Sequence, residues 1–137
     1  MGLILDSSIL ITEERRGHDL SQALHNLALR FAGEEIAVSV ITVLELSHGV
    51  ARADTAHRLA KRQKFLDELV AAVPVHPVTI PIALRAGQID GENKAKGIVL
   101  ALADLLIGVT ALELGYRVAT SNTRHFQMIP GLVLHSV

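Results

Sequence analysis

The chain has 137 residues, of which half are apolar and 3% are aromatic, with a formal net charge of -1 and no cysteine. The absence of cysteine excludes disulfides, thiolate metal sites and cysteine nucleophiles, and the near-neutral charge excludes a chain that binds nucleic acid over its whole surface. A length of this order is typical of one domain, so we predict a single domain over residues 1–137 with a core of Leu, Ile, Val and Ala.

The first half of the chain alternates short apolar runs with segments that have helical spacing. The elements it predicts are a strand over 2–5, a short helix to about 12, a charged loop over 13–19, a helix over 20–31, a strand over 36–38, a helix from a Ser39 cap to about 50, and a helix from an Asp54 or Thr55 cap to about 72. Asp6, Ser7 and Ser8 are suited to capping the first helix.

The second half continues the alternation. It predicts a short strand over 75–78, a helix over 81–89, a polar, flexible segment over 90–96, an apolar helix over 103–114 that ends at Gly115, and strands over 117–120 and 132–134. Pro77 cannot donate to a ladder, so its strand should lie at a sheet edge. Strands that alternate with helices favour a parallel sheet covered by helices on both faces.

Three acids lie in apolar surroundings where a core is expected. Asp6 ends the first strand, Glu45 follows Val43 and Leu44, and Asp104 lies inside the last helix. None has a Lys or Arg beside it in the sequence. Because carboxylates are rarely buried unless they are paired or bound to metal, a shared cation is the simplest explanation.

The predicted sheet brings these acids together. If strands one and four are neighbours, Asp6 meets Asn122 at the carboxyl ends of the strands, and Glu45 and Asp104 approach from their helices. Oxygen-only ligands favour Mg²⁺, with Mn²⁺ as a substitute, over zinc. Such an ion lowers the pKa of bound water and neutralises charge on phosphorus, which indicates phosphodiester hydrolysis without a covalent nucleophile.

Four motifs in this order resemble the PIN-domain nucleases, specifically the VapC-type toxin ribonucleases, over essentially the whole chain. They are Leu-Ile-Leu-Asp-Ser-Ser at 3–8, Ile-Thr-Val-Leu-Glu-Leu-Ser-His-Gly at 41–49, Ala-Asp-Leu-Leu-Ile-Gly-Val-Thr-Ala-Leu at 103–112 and Thr-Ser-Asn-Thr-Arg-His-Phe at 120–126. The resemblance implies a three-layer α/β/α PIN-like domain with a central, mainly parallel five-stranded sheet, and a metal-dependent endoribonuclease.

The resemblance also implies roles for individual residues. Asp6 and Asp104 would be Mg²⁺ ligands, and Glu45 would bind the metal or orient its water. Many PIN domains carry a fourth acid where this chain has Asn122, so we expect one firmly held ion, with Asn122 positioning water or phosphate. Asp90 is either a replacement acid or a solvated loop residue.

The partners that the resemblance implies are an RNA substrate, a second copy of the chain in a homodimer, and a cognate antitoxin whose C-terminal segment covers the acidic pocket. The start of the chain does not have the pattern of a signal peptide, and the longest apolar stretch, 98–112, is shorter than the ~20 residues that span a bilayer. We therefore expect a cytoplasmic protein that does not associate with membranes.

Each feature also has an ordinary structural interpretation. Asp6 or Asp104 could cap a helix, and Glu45 could face solvent. The basic face formed by Arg58, Lys61 and Arg62 is either a solvated helix face or a grip for RNA. Arg124 and His125 either touch phosphate or, with Phe126 packed beneath, hold the loop; the seven His residues are otherwise dispersed.

Two other functions are compatible with acids at strand ends. A receiver-like phospho-acceptor domain expects a Lys at the end of the last strand, and residues 132–137 contain none. A non-catalytic PIN-fold module that binds RNA or protein would retain the fold without turnover. The three acids argue against it, and Asn122 leaves it open.

Overall fold

The computed structural model describes residues 2–136, over which strands and helices alternate. The elements are β1 (Gly2–Leu5), α1 (Ser7–Arg15), α2 (Leu20–Arg30), β2 (Glu35–Ser39), α3 (Val40–Ala51), α4 (Ala56–Ala72), β3 (Val75–His76), α5 (Ile80–Ala95), α6 (Leu102–Leu114), β4 (Arg117–Thr120) and β5 (Leu134–Ser136), with one 3₁₀ turn over Thr123–His125.

The five strands form one parallel sheet in the order β3-β2-β1-β4-β5. The central strand β1 pairs with β2 on one side and with β4 on the other, so that Leu3 lies opposite both Ile36 and Arg117. The adjacency of strands one and four is therefore confirmed, and so is the edge position of β3, the strand that precedes Pro77.

The side chains of β1 alternate between two cores. Leu3 and Leu5 pack with apolar residues of α1, α2 and α4, whereas Ile4 packs on the opposite face with α5 and α6. A sheet that is buried on both faces is the arrangement expected of parallel strands. The prediction of a three-layer α/β/α domain is confirmed, and all five strands are parallel.

Two segments that we expected to be irregular are helical. Helix α1 continues past Thr12 to Arg15, because Glu13 is buried and hydrogen-bonded to His18 instead of lying in a solvated loop. Helix α5 continues through 90–95, where the buried Asn93 donates from Nδ2 to the carbonyl oxygen of Met128. A tertiary contact therefore accompanies the extension of α5, whereas the extension of α1 is accompanied by a local contact between residues five apart in the chain.

The short strands also differ from their predicted bounds. Strand β3 contains only Val75 and His76, and β5 covers 134–136 instead of 132–134. The predicted caps of α3 and α4 are confirmed, since Ser39 accepts from the backbone N–H of Ile41 and Thr55 accepts from that of Arg58. Within residues 2–136, no helix combines the length and apolarity needed to cross a bilayer.

Gly115 allows α6 to turn directly into β4. Its φ of 68° lies in the left-handed region, which costs an L side chain about 1–2 kcal/mol. We expect Gly115→Ala to lower the free energy of unfolding by that amount, as measured by urea denaturation. Gly87→Ala, inside α5 where an added Cβ meets no atom within 4 Å, is the matched control and should instead add about 0.5–1 kcal/mol. Equal effects of the two substitutions would contradict this account.

Candidate functional site

Asp6 is buried at the carboxyl end of β1, with 4% of its surface exposed. Its Oδ2 accepts hydrogen bonds of 2.8 Å from Ser8 Oγ and from Thr120 Oγ1. Its backbone N–H donates to the carbonyl oxygen of Ala119 on β4. Asp6 occupies the N-cap position of α1, but its side chain makes no capping hydrogen bond, so the capping interpretation is wrong.

The same hydroxyl groups connect Asp6 to the loop that follows β4. Ser8 Oγ accepts from the backbone N–H of Ser121 at 3.3 Å, and Thr120 Oγ1 accepts from that of Asn122 at 2.9 Å. Thr120 is fully buried. The start of α1 and the end of β4 therefore hold one carboxylate in a fixed orientation.

Glu45 reaches the same region from α3 and is half-buried. Its Oε1 accepts a hydrogen bond of 3.1 Å from Ser7 Oγ. Burial raises the pKa of Glu45, and the charges of Asp6 and Asp104 raise it further, whereas the Ser7 hydrogen bond opposes the shift. Ser7 therefore stabilises a carboxylate that its surroundings destabilise.

Asp104 lies in the first turn of α6. Burial raises the pKa of Asp104, the charge of Asp6 adds to the increase, and His125 opposes it. The Nδ1 atom of His125 lies 3.4 Å from Oδ2 of Asp104, while the rest of the His125 side chain is more than half exposed. The charges of Asp6 and Asp104 act on Glu45, and that of Asp6 acts on Asp104, so the three acids lie near one another, whereas their roles stay predictions.

Asn122 and Asp90 are less closely tied to the acids. Asn122 is exposed at the start of the loop after β4. Asp90 lies on α5 and pairs with Lys94 at 2.9 Å, so it is not a solvated loop residue. Its charge is not among the influences that shift the pKa of Glu45 or Asp104.

The donor set suits a hard divalent cation. Among residues 2–136, the carboxylates of Glu45 and Asp104 form no ion pair with a Lys or Arg, and a hard divalent cation would lower both of their raised pKa values. Among residues 2–136, no three Asp, Glu or His side chains are close enough to enclose an ion by themselves. This spacing is compatible with Mg²⁺, which usually keeps several waters and binds one or two carboxylates.

The basic face on α4 is partly occupied by internal contacts. Arg58 Nη1 donates to both carboxylate oxygens of Asp54, and Arg62 Nη1 donates to the carbonyl oxygen of Gly49 at the end of α3. Lys61 is exposed. Arg62 therefore has a structural role that the sequence pattern did not predict.

The loop after β4 combines exposed polar residues with an apolar anchor. Phe126 is fully buried beneath the loop, as predicted, whereas Arg124 and His125 are exposed. Residues 121–125 line an open groove of about 480 Å³. The burial of Phe126 holds the groove beside the acids.

Sequence reasoning missed the supporting role of the hydroxyl groups. Ser7, Ser8 and Thr120 were recognisable as motif residues, but their hydrogen bonds to Glu45 and Asp6 depend on the approach of α3 and β4 to α1. The sequence pattern that could have indicated this role is Ser7 and Ser8, two small hydroxyl residues directly after Asp6 at the end of a strand. The contact of His125 with Asp104 had no signal in the sequence.

A protein-family model and curated relatives match this sequence. The family model for the PIN domain matches residues 3–132. Ribonuclease VapC1 of Rickettsia felis is 28% identical over 137 residues, covering 100% of this chain and 97% of its own. The tRNA(fMet)-specific endonuclease VapC of Salmonella typhimurium is 32% identical over 98 residues, 71% of each chain.

A solved structure has the same fold over the whole length. The crystal structure of VapBC2 from Rickettsia felis bound to a DNA fragment from its promoter contains a chain that superposes with a TM-score of 0.84 at 25% identity. The match covers 100% of this chain and 99% of that one.

Because the pKa of Glu45 is raised, we predict that ionisation of Glu45 destabilises the folded state of the metal-free chain as the pH rises. The folded state holds the Glu45 proton more tightly than the unfolded state, so stability falls as the pH rises from the ordinary value of 4.5 through the raised pKa. In EDTA at neutral pH, Glu45→Gln should therefore have a higher Tm than the unsubstituted chain, and the difference should vanish in acid. Thermal unfolding followed by circular dichroism from acid to neutral pH measures this difference.

The control for that comparison is Glu92→Gln on α5, which removes the same charge from an exposed side chain that accepts a hydrogen bond from Gln88, and it should leave Tm nearly unchanged. If the Tm of Glu45→Gln at neutral pH were equal to or lower than that of the unsubstituted chain, ionised Glu45 would not be destabilising, which would contradict the prediction.

Proposed function

The chain belongs to the PIN domain family and, within it, to the VapC ribonucleases, and from this premise we propose that it is a Mg²⁺-dependent endoribonuclease that acts as the toxin of a type II toxin–antitoxin pair. The observation that carries the proposal is the convergence of Asp6, Glu45 and Asp104 at the carboxyl ends of β1 and β4. This is the edge at which parallel α/β sheets bind their ligands.

Asp6 and Asp104 are the residues that would hold Mg²⁺, with Mn²⁺ as a substitute. When bound, the cation supplies a water of lowered pKa and neutralises charge that develops on the phosphate. Ser8 and Thr120 keep the Asp6 carboxylate oriented without help from substrate. Such preorganisation avoids a reorganisation cost during the reaction.

Glu45 is suited to directing water toward phosphorus. Its Oε1 is engaged by Ser7, so Oε2 is the oxygen that would accept a proton from the attacking water. Its raised pKa brings it nearer to the pH at which a carboxylate is an effective base. Asn122, exposed at the mouth of the pocket, would position water or phosphate through its amide.

The antitoxin is proposed to bind in a cleft between α1, α3 and α4. Ile11, Leu46 and Phe65 give this cleft of about 120 Å³ an apolar floor, Arg15 and Arg62 lie at its rim, and Glu45 lines it as well. A peptide with apolar side chains would fill the floor, and an Arg from it would be attracted by the acids. The VapBC2 structure from Rickettsia felis, in which a relative is combined with its partner, supports the existence of an antitoxin partner, and the cleft is our proposal for where it binds.

A homodimer is the proposed assembly. Four aliphatic side chains on α5 and around the start of α6 are at least two-thirds exposed: Ile80 at 76%, Leu84 at 70%, Val99 at 77% and Leu102 at 67%. Exposed apolar surface of this extent is typical of protein interfaces. Association of two copies would remove it from water.

The alternative is a PIN-fold module that binds RNA or protein without cleaving. Asn122 favours it, because the chain lacks a fourth acid there. The raised pKa values of Glu45 and Asp104 favour the nuclease. In a module that bound no cation, the repulsion between these acids would destabilise the fold with nothing to compensate for it.

Cleavage distinguishes the two functions. Purified, antitoxin-free protein should produce discrete new ends in total cellular RNA with Mg²⁺ or Mn²⁺ and none with EDTA, as mapped by sequencing. Asp104→Asn should reduce the rate by on the order of 10²–10³-fold or more, because it removes a charge that holds the cation.

Asp90→Asn is the matched control, since it removes the same charge from a residue paired with Lys94 on α5, and it should cleave at the normal rate. Full activity of folded Asp104→Asn would refute the metal assignment. Absence of cleavage by a folded chain that still binds RNA would favour the non-catalytic module.

A further inference from the structure

The acidic pocket adjoins two basic surfaces, and they differ in what their charges contact. One, which we call the arginine track, comprises Arg16, Arg30 and Arg124. The other, the α4 groove, is lined by Arg15, Arg58, Lys61 and Arg62, together with Glu14, Gly17 and His57. Phosphate that approaches three carboxylates needs compensating positive charge, so the location of free charge is informative about the path of RNA.

The arginine track consists of two grooves that meet at Ser121. One is the groove lined by residues 121–125, and the other, of about 220 Å³, is lined by Ile9, Thr12, Glu13, Arg16, Arg30 and Ser121. The N–H of Ser121 donates to Ser8 Oγ, which in turn donates to Asp6 Oδ2. The junction of the two grooves is therefore two hydrogen bonds from the buried metal-ligand candidate.

The charges along this track are available to a ligand. Arg30 and Arg124 are exposed, and the ion pairs found among residues 2–136 do not include either of them. Arg16 lies 4.0 Å from Glu13 and remains 61% exposed. Glu13, the one acid in the track, is buried and engaged by His18 at 2.5 Å. The track therefore presents net positive charge.

The α4 groove is less suited to a phosphate backbone. Arg58 is exposed but donates to both carboxylate oxygens of Asp54, and Arg62 donates to the Gly49 carbonyl oxygen. Arg15 and Lys61 are the exposed basic side chains of this groove that take no part in the ion pairs among residues 2–136. This groove shares Glu14, Arg15 and Arg62 with the apolar cleft between α1, α3 and α4. An apolar floor favours a peptide over a polyanion.

We propose that single-stranded RNA follows the arginine track, with Arg30 and Arg124 binding phosphates on opposite sides of the scissile one. The inference rests on the proposed nuclease function and deepens it, because it assigns the substrate to one face of the acidic pocket and the protein partner to the other. The guanidinium group suits this role, since it forms paired hydrogen bonds with phosphate oxygens.

The experiment compares two double variants in an Asp104→Asn background, which prevents turnover. Arg30→Gln with Arg124→Gln removes two charges from the track, and Arg15→Gln with Lys61→Gln removes two exposed charges from the α4 groove. The probe is a fluorescein-labelled, mixed-sequence single-stranded RNA, and Kd is measured by anisotropy at several salt concentrations with Mg²⁺ present. Circular dichroism confirms that each variant is folded.

We expect the track variant to bind about 25-fold more weakly at about 0.1 M salt, about fivefold per lost phosphate contact, with the slope of log Kd against log salt reduced by about 1.4. The α4-groove variant should bind like its parent. Equal weakening of both variants, weakening of the α4-groove variant alone, or no binding by the parent would each overturn the proposal.

Failure of the track and failure of the nuclease assignment remain distinguishable. The unsubstituted chain is tested with the same RNA for cleavage that depends on Mg²⁺. Cleavage together with equal binding by both double variants would overturn only the track. Absence of metal-dependent cleavage would overturn the nuclease function, whatever the binding data show.

Discussion

The buried carboxylate of Asp6, held by two hydroxyl groups at the end of the central strand, is the interaction on which the site depends. Ser8 and Thr120 both donate to its Oδ2, and its backbone N–H donates to β4. A buried charge is costly unless hydrogen bonds or a counterion compensate for it. The start of α1 and the end of β4 supply these hydrogen bonds. The charge of Asp6 in turn raises the pKa values of Glu45 and Asp104.

This arrangement separates three kinds of surface around one pocket. The acids lie at the centre. On one side, an apolar cleft with a basic rim lies between α1, α3 and α4. On the other side, next to the loop between β4 and β5, lie the exposed arginines of the arginine track. A polyanion and an apolar peptide have opposite requirements, so these surfaces favour different ligands. On our proposal, substrate and antitoxin meet only at the acids.

Much of this arrangement could be predicted from the sequence, because it depends on local pattern. The apolar runs, the caps at Ser39 and Thr55 and the stop at Gly115 give the order of the elements, and the alternation of strands and helices gives the parallel sheet. The site residues could be predicted as well, because an acid in apolar surroundings is also a local pattern. The rule that parallel strands place their carboxyl ends at one edge locates Asp6, and Glu45 and Asp104 reach that edge from the first halves of α3 and α6.

The remaining features depend on contacts between segments that are distant in the chain. Residues 90–95 are helical because Asn93 is anchored to the loop at Met128. The helical conformation of Glu13 is instead accompanied by a local contact with His18, five residues along the chain. His125 lies against Asp104, 21 residues away in the chain, in the same loop that Phe126 anchors in the core. The polar composition of these segments gave no sign of those partners, so sequence pattern alone predicted loops or isolated residues.

Direct titration of the purified chain with Mn²⁺, followed by the loss of the free-ion signal in electron paramagnetic resonance, tests the central claim that Asp6, Glu45 and Asp104 form a divalent-cation site. The account predicts that one ion binds per chain, that Mg²⁺ competes for it, and that Asp104→Asn abolishes binding while the folded structure is retained. An unsubstituted chain that binds no ion, or an Asp104→Asn chain that binds as well as the original, would contradict it.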